Sequence, residues 1–181
     1  MNQQQQKSLG AVLYENYESY NPAGLSTEEA GQLMRYCCGI IRHPETNNPR
    51  RCQKAKDILI GQSRHAPNLL VGMLDDTLHL DVIVGEIIAE AIRRNPDGQF
   101  IDTLARNAAV AIANKSQREG AVRVLMLEPL CGIALRYVAP WLRSNELYAV
   151  VSDFFQKAAE KKQHRRDVRG VLTWAMQQQG L

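Results

Sequence analysis

The 181-residue sequence has few of the features that point directly to a function. Aromatic residues make up only 6% of it, and its formal net charge at pH 7 is only +3. Such a small net charge does not by itself indicate a nucleic-acid partner. The sequence has no GxSxG elbow, no P-loop glycine pattern and no CxxC pair, which argues against nucleophilic hydrolases, P-loop NTPases and compact zinc knuckles. We therefore expect a protein that is not an enzyme and needs no cofactor.

The sequence also has no long uninterrupted hydrophobic run. Its most apolar stretch, residues 121–142, contains Arg123, Glu128 and Arg136, and Pro129 divides it. Because charged side chains are costly at the centre of a bilayer, we interpret this stretch as core helices and expect no membrane association. The glutamine-rich beginning lacks the cationic and then apolar order of a secretory signal. We expect a cytoplasmic protein with four reduced cysteines.

Helical periodicity dominates the rest of the sequence, from about residue 26 to the C-terminus, and no convincing strand pattern interrupts it. Capping-box patterns at Ser26 and Ser116 and the pair Asn48-Pro49 mark helix starts. The sequence predicts an all-α fold, with a flexible N-terminus over residues 1–8 and one domain over residues 9–181. We expect an irregular bundle of about eight helices. Stacked helical hairpins, with pairs at 81–114 and 121–162, remain the alternative architecture.

Basic residues concentrate in two short segments, although the chain as a whole is nearly neutral. If the helix that begins near residue 145 continued past residue 162, the C-terminal cations would form a collar along it. Such a collar could hold phosphate groups through counterion release or bind an acidic protein; the other interpretation is a solvated helix end. The C-terminal candidates are Lys157, Lys161, Lys162, Arg165, Arg166 and Arg169. The N-terminal candidates are Arg50, Arg51, Lys54 and Lys56.

Three tyrosines, Tyr14, Tyr17 and Tyr20, recur at helical spacing near the N-terminus. On a helix they would spread over about 120° of one side. Tyrosine is enriched at protein interfaces, so the stripe is a candidate docking surface for a partner. It is equally compatible with packing of these rings onto the chain's own domain.

The nearest approach to a metal site in the sequence is a set of cysteines and histidines: Cys37, Cys38, His43, Cys52 and His65. Zinc favours thiolate and imidazole ligands in a tetrahedral arrangement. Adjacent helical residues point about 100° apart, however, so Cys37 and Cys38 are poorly placed to bind one ion. We therefore predict no metal and expect core thiols with surface histidines.

These observations favour a helical interaction module that binds another macromolecule, as an adaptor, an accessory subunit or an inhibitor. The expected partner is a protein or a larger assembly, and a homo-oligomer stays open. The alternative is a nucleic-acid-binding subunit that contacts the phosphate backbone through the C-terminal cations.

Overall fold

The computed structural model describes residues 26–74 and 78–177, and it is all-α in these ranges, as the sequence predicts. Nine α-helices lie in the described residues, joined by turns and short 3₁₀ segments. They are α1 Thr27–Arg42, α2 Pro49–Gln62, α3 Pro67–Val71, α4 Leu78–Arg94, α5 Gly98–Ala111, α6 Arg118–Leu125, α7 Leu130–Val138, α8 Tyr148–Glu160 and α9 Arg165–Gln177. The number is close to the eight expected.

Local capping chemistry explains where several helices begin. Ser26 and Glu29 form the predicted capping box of α1, and the side chain of Asn48 accepts a hydrogen bond from the backbone N–H of Arg51 at the start of α2. The capping box predicted at Ser116 is wrong. The Ser116 hydroxyl donates to Asn114 instead, and α6 begins only at Arg118, without a side-chain cap.

Most of the helices form two layers, in which a helix packs on the next helix but one along the chain. Helices α1, α3, α5, α7 and α9 follow one another in the first layer. In the second layer α2 packs on α4, and α4 packs on α6. The two layers contact each other through helices that are consecutive in the chain, such as α1 with α2 and α5 with α6. This order resembles that of stacked helical hairpins, but the hairpin that the sequence suggested over residues 81–114 does not form, because α4 and α5 make little contact with each other.

One hydrophobic core runs through both layers of the described residues. Its largest fully buried side chains include Leu33, Leu59, Ile88, Leu104 and Phe154. The alanines of α5 are buried as well, which lets α5 approach α7 closely. Among the described helices, none combines the length and the apolar character needed to cross a bilayer.

The last two helices are separate, which corrects one premise of the sequence analysis. Helix α8 ends at Glu160, and Lys161 leaves the helical conformation with ψ of 112°. A 3₁₀ turn, Lys162–His164, then turns the chain into α9. This break points the His164 side chain inward, where it is buried against α7. A continuous helix carrying all six C-terminal cations on its faces therefore does not exist.

Candidate functional site

The cysteine–histidine set suggested by the sequence does not assemble. Cys37 and Cys38 are buried in α1, and burial raises the pKa of the Cys38 thiol to about 11. His43 lies on the surface, 3.5 Å from a carboxylate oxygen of Glu45. No three side chains of the set come together as metal ligands, although all five residues lie in the described part of the chain.

A different cluster does assemble, where the start of α7 meets the turn between α8 and α9. Glu128, Cys131 and His164 place one ligand atom each within 4.8 Å of one another. Among the described side chains, those of residues 26–74 and 80–177, it is the one group of three or more such ligands. His164 Nε2 lies 2.9 Å from Glu128 Oε1. The Cys131 side chain is fully buried and that of His164 nearly so, while Glu128 reaches solvent.

Glycine at position 132 allows this close approach. A Cβ atom there would lie 3.1 Å from His164 Cε1 and 3.2 Å from Nδ1, so the imidazole rests directly on the backbone of α7. No sequence pattern predicts this contact, because His164 and Gly132 are far apart in the chain and belong to no shared motif.

Lys161 completes the cluster and supplies its positive charge. Its ammonium lies 3.0 Å from Glu128 Oε1 and also donates to the carbonyl oxygen of Met126. Burial opposes ionisation of Glu128, but its hydrogen bonds with His164 and Lys161 prevail and hold its pKa below the ordinary value. Burial raises the pKa of the Cys131 thiol and outweighs the opposing charge of Lys161, so this thiol is protonated at neutral pH.

The remaining C-terminal cations differ in how they are engaged. Lys157 pairs with Asp153 at 2.7 Å, and Arg165 donates to the carbonyl oxygen of Ala159 at 3.0 Å. Lys162, Arg166 and Arg169 are exposed, and within the described part of the chain none of them pairs with a carboxylate. Of the six predicted C-terminal cations, only these three near the start of α9 are therefore exposed and engaged in no side-chain hydrogen bond or ion pair within the described part of the fold.

The N-terminal basic segment is mostly engaged in the fold. Arg51 donates to the hydroxyl of Tyr36 at 2.6 Å, and Lys56 lies 3.6 Å from a Glu86 oxygen. Lys54 is only 4% exposed, so it lies inside the protein and is removed from the surface patch that the sequence suggested. Burial lowers its pKa. Arg50 remains exposed at the start of α2.

An apolar cleft of about 540 Å³ opens between α8 and α9. Its walls are mostly hydrophobic, and two of its lining side chains, Tyr148 and Met176, are more than half exposed. Five large hydrophobic side chains are exposed in the described residues, and three of them lie on these two helices. The other lining residues include Phe155, Val168 and Leu172. Scattered exposed hydrophobic residues are ordinary on protein surfaces, but two of these five lie together at the cleft.

The cleft has a basic flank. On α9, Arg165 and Arg169 precede the lining residue Leu172 by seven and three residues. The helical repeat therefore places both arginines on the same side of the helix as Leu172. Both are exposed. Trp174, the third exposed hydrophobic residue, lies on the opposite flank of α9 and does not line the cleft.

The tyrosine stripe, Tyr14, Tyr17 and Tyr20, lies outside the described residues, as does the N-terminal segment 1–8. Comparison of the chain with models of known protein families, with curated proteins and with solved structures gives no match.

Proposed function

We propose that this protein is a helical binding module without enzymatic activity, and that the cleft between α8 and α9 docks a protein partner. The single observation that supports this function is the apolar cleft with the exposed Tyr148 and Met176 on its walls. Aromatic residues and methionine are enriched in the centres of protein interfaces, because they supply large apolar contact area.

The shape and charge of the cleft define the partner. A cleft of about 540 Å³ between two helices accommodates a few apolar side chains from one face of a partner helix. Arg165 and Arg169 stand beside it, so carboxylates next to these apolar side chains would meet positive charge. The expected occupant is therefore an acidic amphipathic helix of another protein.

Selection from a displayed random-peptide library tests this proposal. We expect enrichment of peptides with apolar residues at helical spacing and flanking Asp or Glu. The double variant Tyr148→Ser/Met176→Ser should lose their binding, and Arg169→Glu should weaken it. Val110→Ser is the matched control, since Val110 is 62% exposed but lies on α5, away from the cleft. Peptides that bind the double variant as well as the wild type would refute this assignment of the cleft.

The second candidate function is nucleic-acid binding, and the observation that favours it is the group of three exposed cations Lys162, Arg166 and Arg169. Phosphate contacts release counterions, so the affinity should fall steeply with salt. Fluorescence anisotropy with labelled RNA and DNA, starting at about 50 mM salt, measures this dependence. Replacing all three cations by glutamine should reduce the slope of log K against log salt by about 2 to 3. Lys115→Gln is the control, because Lys115 is an exposed lysine in the turn between α5 and α6. No affinity at low salt would exclude this function.

A further inference from the structure

We propose that Glu128, Cys131 and His164 form a zinc-binding site that ties the start of α7 to the turn between α8 and α9. This site is independent of the proposed partner cleft. The inference rests on the convergence of three different ligand types from two distant segments of the chain: Glu128 and His164 are 36 residues apart and their side chains meet at 2.9 Å.

The chemistry of the donors selects the ion. Zn²⁺ in proteins is bound by cysteine sulfur, histidine nitrogen and carboxylate oxygen in tetrahedral geometry. The three ligand atoms lie within 4.8 Å of one another, so small side-chain shifts bring them around one ion. The harder ions Mg²⁺ and Ca²⁺ prefer sites made of oxygen alone, which this set does not offer.

The fold holds two of the ligands in place. Cys131 lies in the first turn of α7 and is fully buried, and the His164 ring is fixed against Gly132. The ring turns Nε2 toward Glu128, and without metal this nitrogen carries the proton that it donates to the carboxylate. As a zinc ligand Nε2 must be unprotonated, so with the ion bound the imidazole proton lies on Nδ1. Glu128 reaches solvent, so water has access to the fourth position of the ion. Three protein ligands and one open position are the arrangement found in zinc sites that exchange a ligand.

Charge balance explains the role of Lys161. Without metal, the ammonium of Lys161 neutralises the Glu128 carboxylate at 3.0 Å. On zinc binding the Cys131 thiol releases one proton to solvent, and the two charges of the ion are then balanced by one thiolate and one carboxylate. Lys161 becomes a surplus positive charge, and its flexible, partly exposed side chain must turn toward solvent. Lys161 is therefore a competitor of zinc for Glu128.

Zinc titration of the full chain under reducing conditions, with Co²⁺ as the spectroscopic probe, tests the site. We expect one Zn²⁺ per chain by calorimetry and a thiolate-to-cobalt charge-transfer band with Co²⁺. Cys131→Ser should lose the band, because its thiolate is the source, and His164→Gln should show it only at higher Co²⁺ concentration. Both variants should weaken zinc binding at least about tenfold. Cys52→Ser and His43→Gln are the matched controls and should bind as the wild type does.

Lys161→Met provides a readout that a purely structural role of the cluster would not produce. Removing a unit positive charge a few ångströms from the ion should strengthen zinc binding about fivefold. Zinc should also raise the melting temperature of the wild type and of Cys52→Ser but not that of Cys131→Ser, because binding to the folded state alone stabilises it. Circular dichroism verifies that each variant is folded, and Cys131→Ala replaces the serine variant if that one is not. Absence of stoichiometric zinc, or unchanged zinc affinity in the folded Cys131 variant, overturns the proposal.

Discussion

Replacement of Gly120 by alanine should destabilise the protein, although alanine is the better helix former. Gly120 lies in α6 and faces Asp81 of α4. A Cβ atom at this position would lie 2.5 Å from Asp81 Oδ1 and 2.6 Å from both Cγ and Oδ2. Asp81 is only 3% exposed, so its carboxylate has little room to retreat. The side chain of Asp81 or the whole of α6 must therefore shift.

The size of the effect follows from two opposing contributions. Alanine in place of glycine inside a helix contributes about 1 kcal/mol of stability. Overpacking costs about 1 to 3 kcal/mol, and three contacts below 3.0 Å with a buried carboxylate place Gly120→Ala at the upper end. The net loss is then about 2 kcal/mol, which lowers the melting temperature of a chain of this length by about 4 to 8 °C.

Gly170→Ala is the matched control for this prediction. Gly170 lies inside α9, and a Cβ atom there would meet nothing within 4 Å. The Gly170→Ala variant should gain up to about 1 kcal/mol of stability. The free energies of unfolding of the two variants, measured by urea denaturation, should therefore differ by about 3 kcal/mol. In an Asp81→Ala background the cost of Gly120→Ala should disappear, as the double-mutant cycle measures. A Gly120→Ala protein as stable as Gly170→Ala would refute the packing argument.

Two further predictions concern α4 and α8. Hydrogen bonds from Arg93 and Arg94 lower the pKa of Glu90 to about 2, so its stabilising contribution is complete above the ordinary value of 4.5 and is lost as the pH falls toward 2. The difference in free energy of unfolding between wild type and Glu90→Gln should shrink over this window, and a pH-independent difference would contradict it. Phe154→Ala should cost about 3 to 5 kcal/mol because Phe154 is fully buried, whereas Tyr148→Ala, at an exposed position, should change stability by less than about 0.5 kcal/mol in the same denaturation assay.

Features that depend on neighbouring residues were the more predictable ones in this protein. Helical periodicity and the caps at Ser26 and Asn48 depend on neighbours in the chain, and both caps are confirmed. The cap at Ser116 was wrong because Asn114, only two residues away, binds the same hydroxyl. Sequence reasoning has no means to rank such competing local hydrogen bonds.

The candidate sites were less predictable than the helices. The basic collar depended on a continuous helix past residue 162. The helix instead ends at Glu160, and the Lys161 side chain that follows binds Met126 and Glu128. The cysteines and histidines that the sequence suggested as metal ligands lie close together in the chain. The structure instead unites Cys131 with His164, which no spacing rule connects.

The sequence by itself determined the helical character of the described residues and the starts of α1 and α2, because these properties arise from residues one to four positions apart. Only the tertiary structure decided that the helices stack in two layers, that a cleft opens between α8 and α9, and that Glu128, Cys131 and His164 meet. Those outcomes depend on which helix packs against which. That choice depends on the shape and charge of surfaces formed by residues far apart in the chain, and a local pattern does not encode it.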